Sequence, residues 1–205
     1  MLAKEEKLNT LSHGLGILLG LIGFVVLFLN RGQHSSYATF SVVVYSISIL
    51  LLFTASTVYH GVKEGGLKNK LRILDHICIY YLIAGTYTPV TLMMLEKGNG
   101  WPMFYAVWGL AALGTVMKLF YTGKYEFIST LLYLVMGWLI VLDLDGLMAQ
   151  TSTLGISTMF LGGGLYTVGI LFYAIKKIPY NHFIWHLFVL AGAISHWLFI
   201  FFEVV

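Results

Sequence analysis

The sequence predicts an all-α integral membrane bundle of seven transmembrane helices, with the N-terminus cytoplasmic and the C-terminus outside. Three observations carry this reading. Of 205 residues, 59% are hydrophobic and only 10% are charged, where a soluble domain carries about 25%; so few charges cannot cover a surface facing water. The apolar residues gather into seven stretches close to the ~20 residues that cross a hydrocarbon core of roughly 30 Å. The basic residues fall almost entirely on one side of the resulting topology.

The stretches are residues 10–29, 37–60, 73–95, 102–120, 126–142, 153–175 and 182–204, the fifth being the shortest. The charged start at residues 2–6 suggests a cleaved leader, but the apolar run behind it exceeds the roughly 7–15 residues of a signal h-region. Six more runs follow, so the first is expected to stay as a helix. Loop signals separate the runs: Asn30-Arg31-Gly32, Lys63-Glu64-Gly65-Gly66, Glu96 to Gly100, Thr122-Gly123-Lys124, Asp143 to Gly146, and Lys176-Lys177-Ile178-Pro179. Pro102 suits a first helical turn, where its missing N–H is no loss, and Trp101 suits the interface. Thr86-Tyr87-Thr88-Pro89 is expected to kink the third span.

Lys4, Lys7, Lys63, Lys68, Lys70, Arg72, Lys118, Lys124, Lys176 and Lys177 lie on one side, and only Arg31 and Lys97 on the other. The positive-inside rule then places the N-terminus in the cytoplasm and Val205 outside, the reverse of a rhodopsin-type receptor. Gly16 and Gly20 form a GxxxG pair and Gly162–Gly164 run together, small residues that let helices approach in lipid. The single cysteine, Cys78, excludes an intrachain disulfide and reads as packing. No repeat, low-complexity tract or second domain is visible, so residues 1–205 are expected to form one transmembrane domain.

Ionisable groups at membrane depth are expensive and point to function. Ser56 and His60 share a helix face at the end of the second span. Asp75 and His76 start the third. His182 and His186, again i, i+4, start the seventh. Lys and Arg alone set the topology, yet it brings all three clusters to one leaflet. Two histidines one turn apart can direct ring nitrogens at one ion. A third histidine from another helix makes three nitrogen ligands, the number a catalytic zinc uses while keeping one open position. Asp75 can then hold a water or take its proton, and Ser56 can bond the water or a substrate oxygen. Taken singly, these residues have plainer readings. His13, His34, His76 and His196 read as interfacial or helix-bonding side chains, Asp75 as a partner of Arg72 or a charge favoured at a helix N-terminus, and Ser56 as bonded to the preceding turn. Glu6, Asn9 and His13 share a face of the first helix and are expected to form its solvated, capped beginning. A polar network closing the site from the cytosol is the alternative.

The segments Glu6-x-x-Asn9-x-x-x-His13, Ser56-Thr57-Val58-Tyr59-His60, Leu74-Asp75-His76, Ala84-Gly85-Thr86-Tyr87-Thr88-Pro89 and His182-Phe183-Ile184-Trp185-His186 together resemble the hemolysin III family. That family is the bacterial branch of the progestin and adipoQ receptor (PAQR) superfamily, and the resemblance covers nearly the whole chain. It implies seven helices with a cytoplasmic N-terminus in the cell membrane. It also implies a zinc ion held by His60, His182 and His186, with Asp75 and Ser56 beside its water. The long N-terminal domain of the animal receptors is missing, so a hormone-receptor role does not carry over. The resemblance extends to alkaline ceramidases, which implies hydrolysis of a lipid amide, and to membrane lipid homeostasis.

Three functions follow. The first is an enzyme cutting a lipid amide or ester, with Asp75 as general base and Ser56 assisting. The second is a membrane sensor with structural zinc. The third is a pore-forming hemolysin acting by cytolysis, ranked last because no span carries a polar face through the full membrane. A membrane lipid is the expected partner, and no nucleic acid is.

Overall fold

The computed structural model describes residues 3–32 and 35–205, and each predicted stretch is helical in it; His34 lies outside the described residues. The spans are α1 Lys4–Asn30, α2 Ala38–Gly61, α3 Gly66–Pro89, α4 Gly100–Tyr121, α5 Glu126–Trp138, α6 Thr153–Ala174 and α7 Asn181–Phe199. α3 runs on into a π-helical turn, Val90–Met94, and α7 into another, Ile200–Val204. α5 continues through a 3₁₀ turn, Leu139–Asp143, into the short helical piece Leu144–Met148. With these extensions all seven are long and apolar enough to cross a membrane, and no strand occurs among the described residues.

Two starts lie more than a helical turn earlier than hydropathy predicts: α1 begins at Lys4 rather than residue 10, and α3 at Gly66 rather than residue 73. Hydropathy marks only the lipid-facing stretch. The helices continue through the interface, where the stems of Lys4, Lys7 and Lys70 can lie along apolar surface while their ammonium groups stay wet, and Lys68 is turned inward. Glu5 and Glu6 also complement the N-terminal dipole of α1. At Pro89 the expected kink takes the form of a widened turn. Proline has no N–H for the carbonyl four residues back. Around it, hydroxyls bond carbonyls of the preceding turn: Thr86 to Leu82 (2.7 Å), Thr88 to Ala84 (2.9 Å) and Thr91 to Tyr87 (2.9 Å). The π turn then absorbs the break.

α1, α2, α3 and α4 pack side by side in chain order, α6 packs on α7, and α7 returns to α1. α5 touches α3, α4 and α6 more lightly and completes the ring. Close approach depends on glycine at several crossings, two of them against α2. A Cβ at Gly16 would lie 2.5 Å from the Phe53 ring, and one at Gly85 would lie 2.1 Å from Ser48 Oγ. The GxxxG pair of α1 therefore serves the α1–α2 contact. The distribution of polarity is inverted relative to a soluble protein: Leu142 and Phe127 are about four-fifths exposed, while Asn9, His60, Lys118 and His186 are buried. Lys118 is stabilised by Glu126, 2.7 Å away, which also accepts from the backbone of Gly123 in the α4–α5 turn. Cys78 sits in the apolar core. Because the spans alternate in direction, the ten basic residues of the larger group collect at one end, here the basic end. There α1, α3, α5 and α7 begin and α2, α4 and α6 finish.

Candidate metal centre

Local sequence sets the three histidines in place. Pro179 and the preceding lysines end α6. Asn181 donates from Nδ2 to Phe172 O (2.8 Å), tying the loop back, and Tyr180 takes a left-handed backbone conformation (φ 54°) that turns the chain into α7. His182 and His186 then lie one turn apart on the same face. His60 occupies the last turn of α2. Its ring centroid is 5.0 Å from that of His182 and 4.8 Å from that of His186, and the two α7 rings are 4.8 Å apart. One ligand nitrogen from each lies within 4.8 Å of the others. Tetrahedral zinc at ~2.0–2.1 Å from each nitrogen needs nitrogens roughly 3.4 Å apart, so small side-chain rotations close the gap.

The donor set fits a metal ion. His60 Nδ1 is engaged by Glu6 Oε2 at 2.5 Å, while His60 Nε2 is buried with no hydrogen-bond partner among the described residues. An orphaned ring nitrogen is costly unless something else takes its lone pair, and a metal does. His186 Nδ1 has Ser12 Oγ at 3.4 Å. His182 receives support through its backbone, whose N–H donates to Glu5 Oε1 at 3.2 Å.

Ser56, Asp75, His182 and His186 line one cavity of about 110 Å³ with apolar walls that include Leu52, Ile83 and Val189. A single water needs only ~10–15 Å³ on this measure, so several waters or a stretch of chain fit. A smaller space sharing Tyr87, Trp138 and His196 continues it towards Met159 and Phe199, away from the basic end. Ser56 Oγ is buried without a well-formed hydrogen bond, and the Asp75 carboxyl on α3 is near enough to interact with it. No ion pair joins Asp75 to Arg72 among the described residues.

The remaining histidines separate. His76 lines the cavity but lies outside the trio, with Nδ1 3.8 Å from Glu126. His196 donates from Nε2 to Met159 O at 3.1 Å, the helix-bonding role read from sequence. His13 corrects its plain reading. It is buried, stacks on His186 (centroids 3.6 Å apart, planes 8° apart), and lines the cavity. The beginning of α1 is likewise no solvated cap: Asn9 is 2% exposed, and no side chain caps the helix. Its shared face with Glu6 and His13 was the available signal, and the structure turns that face onto the histidines. Ser12 and Lys68 carried no such signal; packing alone brings them in.

The chain matches the model of the family described as "Haemolysin-III related" over residues 1–197. It is 43% identical to the "Hemolysin-3 homolog" of Bacillus subtilis (strain 168) across 93% of this chain and 90% of that one. It is 39% identical to the "Hemolysin-3" of Bacillus cereus across 93% and 87%. With the human "Monocyte to macrophage differentiation factor" it shares 30% identity across 94% and 82%. Seven apolar spans and these Bacillus relatives make it a multi-pass bacterial membrane protein. On this match of nearly its whole length, the chain belongs to the haemolysin-III related family.

Proposed function

We propose that this protein is a zinc-dependent hydrolase of a lipid amide or ester, resembling the ceramidases, with its site at the cytoplasmic leaflet and a role in membrane lipid homeostasis. One observation carries the reading. A three-histidine centre opens on an apolar cavity whose wall also holds a buried carboxyl and a buried hydroxyl. The excess of Lys and Arg at the basic end favours the cytoplasmic assignment, and residues 1–205 act as one domain.

Bound by His60, His182 and His186, zinc supplies a Lewis acid and activates water at neutral pH. The chain's own groups do the rest. The cavity walls seat an acyl chain and exclude bulk water. Asp75 accepts a proton from the attacking water, whose oxygen adds to the substrate carbonyl carbon. Ser56 Oγ–H bonds the carbonyl oxygen. When the C–N or C–O bond breaks, Asp75 returns the proton to the leaving nitrogen or oxygen. The cytolytic activity named for the Bacillus cereus relative calls instead for a polar path through the membrane, and the apolar cavity walls argue against one here.

The test is Asp75→Asn. Asparagine keeps the shape and can hydrogen-bond, but it cannot take the proton. Zinc content and fold should persist while turnover of long-chain ceramides, acylamides or lysolipids falls ~10²–10⁴-fold, the usual cost of a lost general base. Fully zinc-loaded wild type with no turnover across that panel would defeat the enzyme reading in favour of a structural ion. Undiminished turnover in the variant would remove only Asp75.

A further inference from the structure

Several side chains support the histidine trio from behind, and Glu6 is the most fully engaged of them. Its two carboxylate oxygens are divided between two partners on different helices. Oε2 lies 2.5 Å from His60 Nδ1 on α2, and Oε1 accepts from Lys68 Nζ on α3 at 2.9 Å. Lys68 is 4% exposed. It also donates to Val62 O at 3.3 Å and lies 3.6 Å from Glu64. The chain Lys68–Glu6–His60 thus links the first three helices and ends on a ring nitrogen of the candidate centre.

We propose that Glu6 is a positioning residue for the metal, acting through His60, and that Lys68 holds it in place; the inference rests on reading the trio as a metal centre. A neutral imidazole carries one N–H and one lone pair. A carboxylate at Nδ1 draws the N–H to that nitrogen and leaves the lone pair on Nε2, a buried atom with no hydrogen-bond partner among the described residues. The same contact fixes the ring's rotation, because the acceptor lies in line with only one orientation. Lys68 bonds the far oxygen, so the carboxylate cannot swing towards water without breaking a buried charge-assisted contact. Asn9 Nδ2, 3.4 Å from the same ring nitrogen, is a longer contact without charge. Outer partners of ligating histidines typically contribute 10–100-fold in metal affinity, which sets the size of effect expected here.

The experiment measures zinc affinity of the purified full chain by competition with a chelator, for wild type, Glu6→Gln, Glu6→Ala, Lys68→Met and Glu64→Gln. The ligand-field absorption of the cobalt-loaded protein is recorded alongside. Glu6→Ala should bind zinc roughly 10–100-fold more weakly and shift the cobalt spectrum, a change that mere loosening of α1 does not make. Glu6→Gln keeps an acceptor without the charge and should fall between Glu6→Ala and wild type. Lys68→Met should lose affinity in the same direction. Glu64, 87% exposed, shares Lys68 but touches no histidine, and Glu64→Gln should match wild type. Wild-type affinity and an unchanged cobalt spectrum in both Glu6 variants would overturn the inference and leave the metal centre standing. An equal loss in Glu64→Gln would also overturn it, by tracing the effect to net charge. A wild type that takes up neither zinc nor cobalt would defeat the metal reading itself.

Discussion

Among the three histidines, His182 offers the cleanest deletion. Among the described residues its ring makes no hydrogen bond with another side chain or backbone group, and its hydrogen bond to α1 runs through the backbone N–H, which alanine keeps. Removing His60 would instead leave Glu6 paired only with Lys68, and removing His186 would take away the ring on which His13 stacks. His182→Ala should therefore change metal binding with little cost to the metal-free fold. Its magnitude follows from the donor set. Structural zinc sites contribute ~10–16 kcal/mol through four ligands, or roughly 2.5–4 kcal/mol for each. At 1.4 kcal/mol per factor of ten, losing one imidazole weakens binding ~10²–10³-fold. No other His, Cys, Asp or Glu among the described residues joins the group to replace it. Ligand linkage carries this into stability: zinc at ~1,000 times the wild-type Kd stabilises the wild type by ~4 kcal/mol, and the variant should lose most of that. Chelator competition gives the affinity, and thermal unfolding with and without zinc gives the linkage. Equal affinity in the two proteins would remove His182 from the site. A drop in the metal-free transition as large as the zinc-loaded one would show that His182 serves the fold instead.

Imidazole must be neutral to ligate. Zinc affinity should therefore fall with acid, and zinc-dependent stability should be lost in the same direction; titrating affinity from neutral pH downward checks this. Gly85→Ala places a Cβ 2.1 Å from Ser48 Oγ and 2.6 Å from Ser48 Cβ. Overpacking there should cost about 1–3 kcal/mol, with Ser48→Gly restoring more than Ser48→Ala because only glycine clears both atoms; unfolding of the two double variants in detergent decides it. Reporter fusions should place the N-terminus in the cytoplasm and Val205 outside, and a periplasm-active reporter at the N-terminus would reverse the orientation.

Much of this molecule was legible without coordinates, because lipid is a uniform solvent that imposes a one-dimensional requirement. Each crossing needs its length of apolar residues, and each span must satisfy its own backbone hydrogen bonds as a helix. Seven spans, their order and their loops follow from that alone. His182 and His186 are equally local, since i, i+4 spacing on a helix defines a shared face. His60 is not local. Composition and spacing left the third histidine open, and the motif resemblance pointed to His60. Only the α1–α2–α7 packing sets its ring about 5 Å from the other two while leaving His76, one residue from Asp75, outside the trio beside Glu126. The beginning of α1 shows the same limit more sharply. Glu6, Asn9 and His13 are polar residues at a helix start, and a sequence cannot distinguish a face turned to water from one turned inward. Gly16 decides it by letting α1 approach Phe53 of α2, and the approach presses that face onto the histidines. The widened turn after Pro89 was likewise beyond local rules, because missing hydrogen bonds predict a disturbance but not its shape. Sequence determined what each helix had to be in lipid; tertiary packing, which sums many weak contacts between distant residues, decided which polar side chains meet.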